Sequence, residues 1–80
     1  MNQPLPQVDL EAKTVSYLGK SFFMRPLSED AYTVLVDGEP VGRVVYTFGC
    51  GNGVPEHASV NEEQMTAIAE AWFAAIDAAG

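Results

Sequence analysis

One stretch of the chain decides the fold: residues 59–79, which read SVNEEQMTAIAEAWFAAIDAA. Its apolar side chains recur at the i, i+3, i+4, i+7 spacing of a single helical face. They are Met65, Ile68, Ala69, Trp72, Phe73 and Ile76. The alanines between them add intrinsic helix propensity. The stretch therefore predicts one amphipathic helix, from about Ser59 to Ala79, whose apolar side packs on the preceding part of the chain.

Two overlapping capping signals mark the start of this helix. Ser59 stands three residues before Glu62, and Asn61 stands three residues before Gln64. Either pairing can satisfy two of the free backbone N–H groups in the first turn. Glu62 and Glu63 also suit the positive end of the helix dipole. The sequence leaves open which of the two pairings forms.

A hairpin is the clearest feature upstream of the helix. Asp37–Gly38 is a strong signal for a type I′ turn, because both central residues of that turn need positive φ. Residues 31–36 before it and 41–48 after it are rich in β-branched and aromatic side chains, which favour strands. Glu39–Pro40 is expected either to belong to the turn, as a four-residue loop, or to follow it.

The other segments complete an α+β prediction. Residues 20–27 are expected to form a strand, and residues 14–18 a further strand in preference to a short helix capped by Asp9. Residues 49–58 hold three glycines, an asparagine and a proline, and are predicted to be a loop. Residues 1–8 are predicted to be a disordered tail and residues 9–80 a single domain. The expected fold is a three- to four-stranded antiparallel meander with one C-terminal helix on one face.

Charge narrows the classes of partner. The 80 residues carry a formal net charge of −7, and their bases are Lys13, Lys20, Arg25 and Arg43. Nucleic acid is not expected as a direct partner, because binding phosphates needs clustered lysine and arginine. No run approaches the roughly 20 apolar residues of a membrane span. The single cysteine, Cys50, favours a reducing, cytoplasmic setting.

The segment predicted to be a loop contains residues that could support chemistry. Gly49–Gly53 lacks the Lys-Ser/Thr of a P-loop and the spacing of a dinucleotide fingerprint. Cys50 and His57 could form a nucleophile–base pair, but a loop rarely provides the rigid support that catalysis needs. We therefore predict no catalytic residue, no metal site and no cofactor, and we expect the chain not to be an enzyme.

Apolar side chains fall on both faces of the predicted sheet. Along the strands, Val34 alternates with Leu35, Val44 with Val45, and Phe22 with Phe23. One helix can cover only one face, and the other face of such a sheet is normally polar. Large uncovered apolar patches on a small domain indicate association. A homodimer formed through the open sheet face or an edge strand is therefore expected as an alternative function.

The order of two strands and a helix resembles the antitoxin half of bacterial HicAB modules. The matching segments are residues 32–37, 41–48 and 62–76, and no specific motif accompanies them. An antitoxin-like component of a toxin–antitoxin module is what this resemblance implies.

The favoured function is a small acidic protein that occludes a basic surface of a partner protein. Inhibitors carried by phages and mobile elements, including anti-CRISPR proteins, are often of this size and charge. Carboxylates can occupy the positions of phosphates on a partner that binds nucleic acid. The expected partner-binding residues are Asp37, Glu39, Glu62, Glu63, Glu70 and Asp77.

Overall fold

The Asp37–Gly38 turn joins two antiparallel strands, as predicted. The computed structural model describes residues 5–79. Val36 pairs directly with Glu39, so the loop has two residues, and the four-residue alternative is wrong. Asp37 and Gly38 have φ values of 52° and 83°, as a type I′ turn requires. The register then shifts between Val34 and Leu35, so Val41 has no residue of the preceding strand directly opposite it.

Six strands and one helix make up the described residues, and the strands follow one another in simple meander order. The elements are β1 Gln7–Asp9, β2 Thr14–Tyr17, β3 Lys20–Ser28, β4 Ala31–Val36, β5 Glu39–Thr47, β6 Cys50–Pro55 and α1 Glu62–Ala79. The α+β class, the antiparallel sheet and the C-terminal helix are confirmed. The predicted three to four strands are too few, because β1 and β6 were not expected.

The short strand β1 includes the last two residues of the segment predicted to be a disordered tail, Gln7 and Val8, for which that prediction is wrong. Residues 1–4 of that tail are outside the described residues, whereas Gln7 and Val8 pair with β2. Asp9 does not cap a helix. Its carboxylate accepts a hydrogen bond from the Ala12 backbone N–H at 3.1 Å, and this bond supports the tight turn into β2.

The strand β6 corrects the prediction of a loop over residues 49–58. It pairs along its whole length with β5, from Thr47 opposite Cys50 to Gly42 opposite Pro55. The prediction failed because it counted glycine only as a strand breaker. Gly51 and Gly53 alternate along β6 on the side that faces α1, where the helix backbone approaches so closely that a side chain would collide with it.

The helix closes the open side of a half-barrel. It contacts β5 and β6 at one edge of the sheet and β1 and β2 at the other. Its predicted apolar face is confirmed: Met65, Ile68, Ala69, Trp72 and Phe73 are buried, and Ile76 is half-buried. No helix within residues 5–79 combines the length and apolar character needed to cross a bilayer.

The start of α1 lies three residues later than predicted. Asn61 is the cap: its side-chain oxygen accepts from the Gln64 N–H at 2.7 Å, and the Gln64 side chain accepts from the Asn61 N–H at 3.1 Å. The competing pairing of Ser59 with Glu62 does not form, because the Ser59 N–H donates to His57 Nδ1 at 3.0 Å. The reciprocal Asn61–Gln64 bonds satisfy two backbone donors and fix where the helix begins.

Both sheet faces carry apolar side chains, as expected. Phe22, Val34 and Val44 are buried on the concave face, under the helix. The register places Phe23 opposite Leu35, and Val45 opposite Ala31, on the convex face. There Phe23 remains 44% exposed, and Leu35 and Val45 are half-buried. The convex face therefore leaves apolar surface in contact with solvent.

Candidate binding surface on the helix

The outward side of α1 carries four exposed carboxylates. Glu63, Glu70 and Asp77 are spaced seven residues apart, which is close to two helical turns, so their side chains leave the same side of the helix. Glu62 lies beside Glu63 in the first turn. We call Glu62, Glu63, Glu70 and Asp77 the acidic stripe.

No lysine or arginine within residues 5–79 pairs with the acidic stripe. The chain has no lysine or arginine after Arg43, so α1 carries none. Within residues 5–79 the stripe carboxylates form no ion pair. The ion pair that these residues do contain joins Arg43 Nε to Glu56 Oε2 at 3.3 Å and involves no residue of the stripe. Asp77 lies in the last turn, at the negative end of the helix dipole, where a cation would normally be favoured. The stripe is therefore a surface of concentrated negative potential.

A cleft of about 380 Å³ separates the C-terminal half of α1 from the turn that joins β5 to β6. We call it the turn cleft. Two stripe carboxylates and two aromatic rings contribute to its lining, which includes Tyr46, Cys50, Gly51, Glu70, Phe73 and Asp77. The ring centroids of Tyr46 and Phe73 lie 5.3 Å apart. The turn cleft thus combines negative charge with aromatic surface.

A second, more open cleft of about 540 Å³ lies along the N-terminal half of the helix. It is lined by Glu62, Glu63, Thr66, Ala67 and Glu70. Glu70 belongs to both clefts, so the acidic stripe continues from one to the other. Four of the six predicted partner-binding residues therefore lie together along one side of one helix.

The remaining two predicted residues, Asp37 and Glu39, lie on a different element. Both are exposed at the turn between β4 and β5, and they line neither cleft. That turn is at the end of the sheet where α1 begins, since the Glu56 N–H, shortly before the helix, donates to the Val41 carbonyl at 2.9 Å. The six residues thus form two groups, one on α1 and one on the hairpin.

Cys50 and His57 lie apart. Cys50 begins β6 and His57 follows its end, so at about 3.3 Å per residue the strand separates them by roughly 20 Å. The imidazole Nδ1 instead contacts the Ser59 hydroxyl oxygen at 2.9 Å. No three His, Cys, Asp or Glu side chains converge as a metal site anywhere in residues 5–79.

Phe48 is another residue near this surface whose structure was predicted wrongly. The prediction included it in a strand, whereas β5 ends at Thr47 and Phe48 is the first residue of a two-residue turn. Leu18–Gly19 and Phe48–Gly49 have the same pair of positive φ values, within a few degrees, as Asp37–Gly38. The shared signal is a glycine that directly precedes a strand and follows the previous strand by one intervening residue. The full two-residue turn was predicted only at Asp37–Gly38; at Gly19 a turn was expected from the glycine alone, with Leu18 assigned to the preceding strand, and at Gly49 a loop was expected.

Comparison with protein-family models, with curated proteins and with solved structures finds no match to this chain. The likeness in element order to the HicAB antitoxin half is therefore not extended to a family. The chain's own residues carry the functional proposal.

Proposed function

We propose that the chain is a non-enzymatic binding protein that uses the acidic stripe to occlude a basic surface of a partner protein. The observation that supports it is the exposed, unpaired row of carboxylates on a helix that contains no base. A partner surface that normally binds nucleic acid is the favoured target, because carboxylates can occupy the positions of phosphates. Inhibition of such a partner is the proposed consequence.

A decalysine peptide tests this proposal in a form that does not need the natural partner. Added to the ¹⁵N-labelled chain, it should shift the amide signals of α1 around Glu63, Glu70 and Asp77. Raising the salt from about 0.05 M to about 0.3 M should weaken binding strongly, because exposed charges are screened at that ionic strength.

Two charge-reversed variants separate a localised surface from net charge. Glu70→Lys with Asp77→Lys should abolish binding of the peptide, whereas Asp37→Lys with Glu39→Lys changes the net charge equally at the hairpin and should reduce binding less. Equal loss in both variants would show that the peptide responds only to total charge. Binding that is insensitive to salt would also contradict the proposal.

A homodimer through the convex sheet face is a second candidate function. The observation that favours it is the apolar surface left open there, where Phe23 and Val54 are 44% and 40% exposed. A second copy could cover these side chains and remove them from water. Sedimentation equilibrium over micromolar concentrations should then show a dimer that Phe23→Lys converts to a monomer. A wild-type chain that sediments as a monomer throughout would eliminate this candidate.

A further inference from the structure

Phe48 occupies a position that local physical chemistry does not favour for phenylalanine. Its φ of 52° lies in the left-handed region, where residues other than Gly, Asn and Asp are disfavoured. Its side chain is also 100% exposed, so it packs on no other side chain within residues 5–79. The equivalent position in the turn between β4 and β5 is occupied by Asp37, a polar residue that suits both positive φ and exposure to solvent.

The neighbours of Phe48 distinguish it from Leu18, the other apolar residue with positive φ in a hairpin turn. Leu18 is also exposed, but at 48% it is much less exposed than Phe48. Phe48 directly precedes Gly49 and Cys50, which line the turn cleft. Phe48, whose aromatic ring is fully exposed, therefore immediately precedes two residues that line a cleft with two carboxylates and two further aromatic residues.

The lining of the turn cleft matches the chemistry of an arginine side chain. The apolar stem and the planar guanidinium can pack on the rings of Tyr46 and Phe73, while Glu70 and Asp77 supply acceptors for its charge. Neither carboxylate has an ion-pair partner within residues 5–79. A small cationic ligand would fill the cleft and leave Phe48 in water, whereas a protein surface can cover both at once.

We propose that Phe48 is the apolar anchor of the partner-binding surface, and that the turn cleft beside it binds an arginine side chain of the basic partner. This inference rests on the proposed function and adds the chemistry of the contact. The partner then presents an arginine next to an apolar depression that receives the ring. Exposed aromatic residues that become buried in a complex commonly contribute most of its affinity.

The test uses two synthetic peptides, one alternating arginine with leucine and one alternating arginine with serine. Both carry the same charge, and only the first offers apolar groups to Phe48. Titration of the ¹⁵N-labelled full chain should move the amide signals of Gly49, Gly51 and Ala74 with either peptide. Phe48→Asn should weaken the leucine peptide by about tenfold and leave the serine peptide unchanged. Equal affinity of wild type and variant for the leucine peptide would overturn the anchor.

Stability separates a lost contact from a lost fold. Asparagine suits the first position of this turn better than phenylalanine does, so Phe48→Asn should keep or raise Tm, by about 4 °C at most. Weaker binding by a variant that melts no earlier than wild type can then be assigned to the missing ring.

Matched neutral variants test the cleft itself. Glu70→Gln with Asp77→Asn should weaken both peptides by about tenfold more than Glu62→Gln with Glu63→Gln, which removes the same charge outside the turn cleft. Equal weakening would contradict the proposal that the turn cleft binds the arginine side chain, and would leave the whole acidic stripe as the binding surface. Failure of the wild type to bind either peptide would overturn the proposed function as well.

Discussion

The hairpins β4–β5 and β5–β6 share a strand and a turn geometry, yet different interactions hold them. Side chains specify the first hairpin: β-branched and aromatic residues flank Asp37–Gly38, and Val34 and Val44 are buried under the helix. The second hairpin depends on missing side chains, because Gly51 and Gly53 let the backbone of α1 lie directly on β6. The contrast shows that glycines at alternate positions can form a packing surface as specific as an apolar stripe.

The largest expected effect comes from filling that surface at Gly53. A Cβ there would collide with the backbone carbonyl of Met65, which the helix cannot move without losing its own packing. Gly53→Val should therefore destabilise the fold by about 4 kcal/mol, which is a large share of the total stability of a small domain. Urea unfolding followed by circular dichroism measures the change.

A variant of the neighbouring residue provides the control for Gly53. Asn52 faces outward on the same strand and is exposed, so Asn52→Val adds an equally β-branched side chain without meeting the helix. It should change the free energy of unfolding by less than about 0.5 kcal/mol. If Gly53→Val cost no more than Asn52→Val, the close approach of α1 to β6 would be wrong.

Gly51 should show a smaller effect of the same kind. A Cβ at Gly51 would lie 2.8 Å from the Ala69 carbonyl carbon and 3.0 Å from the Glu70 nitrogen. Gly51→Ala should cost about 2 kcal/mol, because the helix must shift outward by a fraction of an ångström. Cys50→Ala, at the exposed first residue of the same strand, is the control for substitution in β6 and should be close to neutral in the same unfolding assay.

Physical reasons explain why the sequence predicted some elements and not others. The helix and the β4–β5 hairpin were predictable because periodicity, caps and turn residues agree locally. The strand β6 was not, because glycine in isolation favours irregular structure and only the position of α1, set by tertiary packing, makes Gly51 and Gly53 useful in a strand. The strand β1, which contains Val8 and Asp9, was also missed, because a three-residue strand is too short to show a recognisable alternation of apolar and polar residues.

The residues of the candidate site were likewise predicted only in part from the sequence. The spacing of Glu63, Glu70 and Asp77 along a predicted helix was sufficient to place them on one side of it. The turn cleft was not predictable, because Tyr46 and Cys50 reach it only through the pairing of β5 with β6. Phe48 was taken as a strand residue, since its aromatic side chain favours strands and its positive φ cannot be read from propensity.

A third prediction uses the start of α1, where both candidate caps lie within three residues. Asn61→Ala removes the acceptor of the 2.7 Å bond from the Gln64 N–H and should cost about 1 kcal/mol. Ser59→Ala should cost less than half as much, because the Ser59 hydroxyl caps no helical N–H and bonds instead to the exposed His57, while the Ser59 backbone bonds remain in the variant. Thermal unfolding of both variants decides between them. A larger loss from Ser59→Ala would restore the earlier helix start.

The smallest expected effect concerns the end of β6, where a side-chain contact does cross to β5. Arg43 and Glu56 form an ion pair at 3.3 Å, but their side chains are 47% and 44% exposed, so water screens the attraction. Glu56→Gln should cost about 0.3 kcal/mol at low salt and nothing measurable at high salt. The backbone bond from Glu56 to Val41 remains in the variant, and paired unfolding curves at the two salt concentrations provide the measurement. A loss comparable to that of Gly51→Ala would mean that side chains hold β6 after all, and the difference between the two hairpins would disappear.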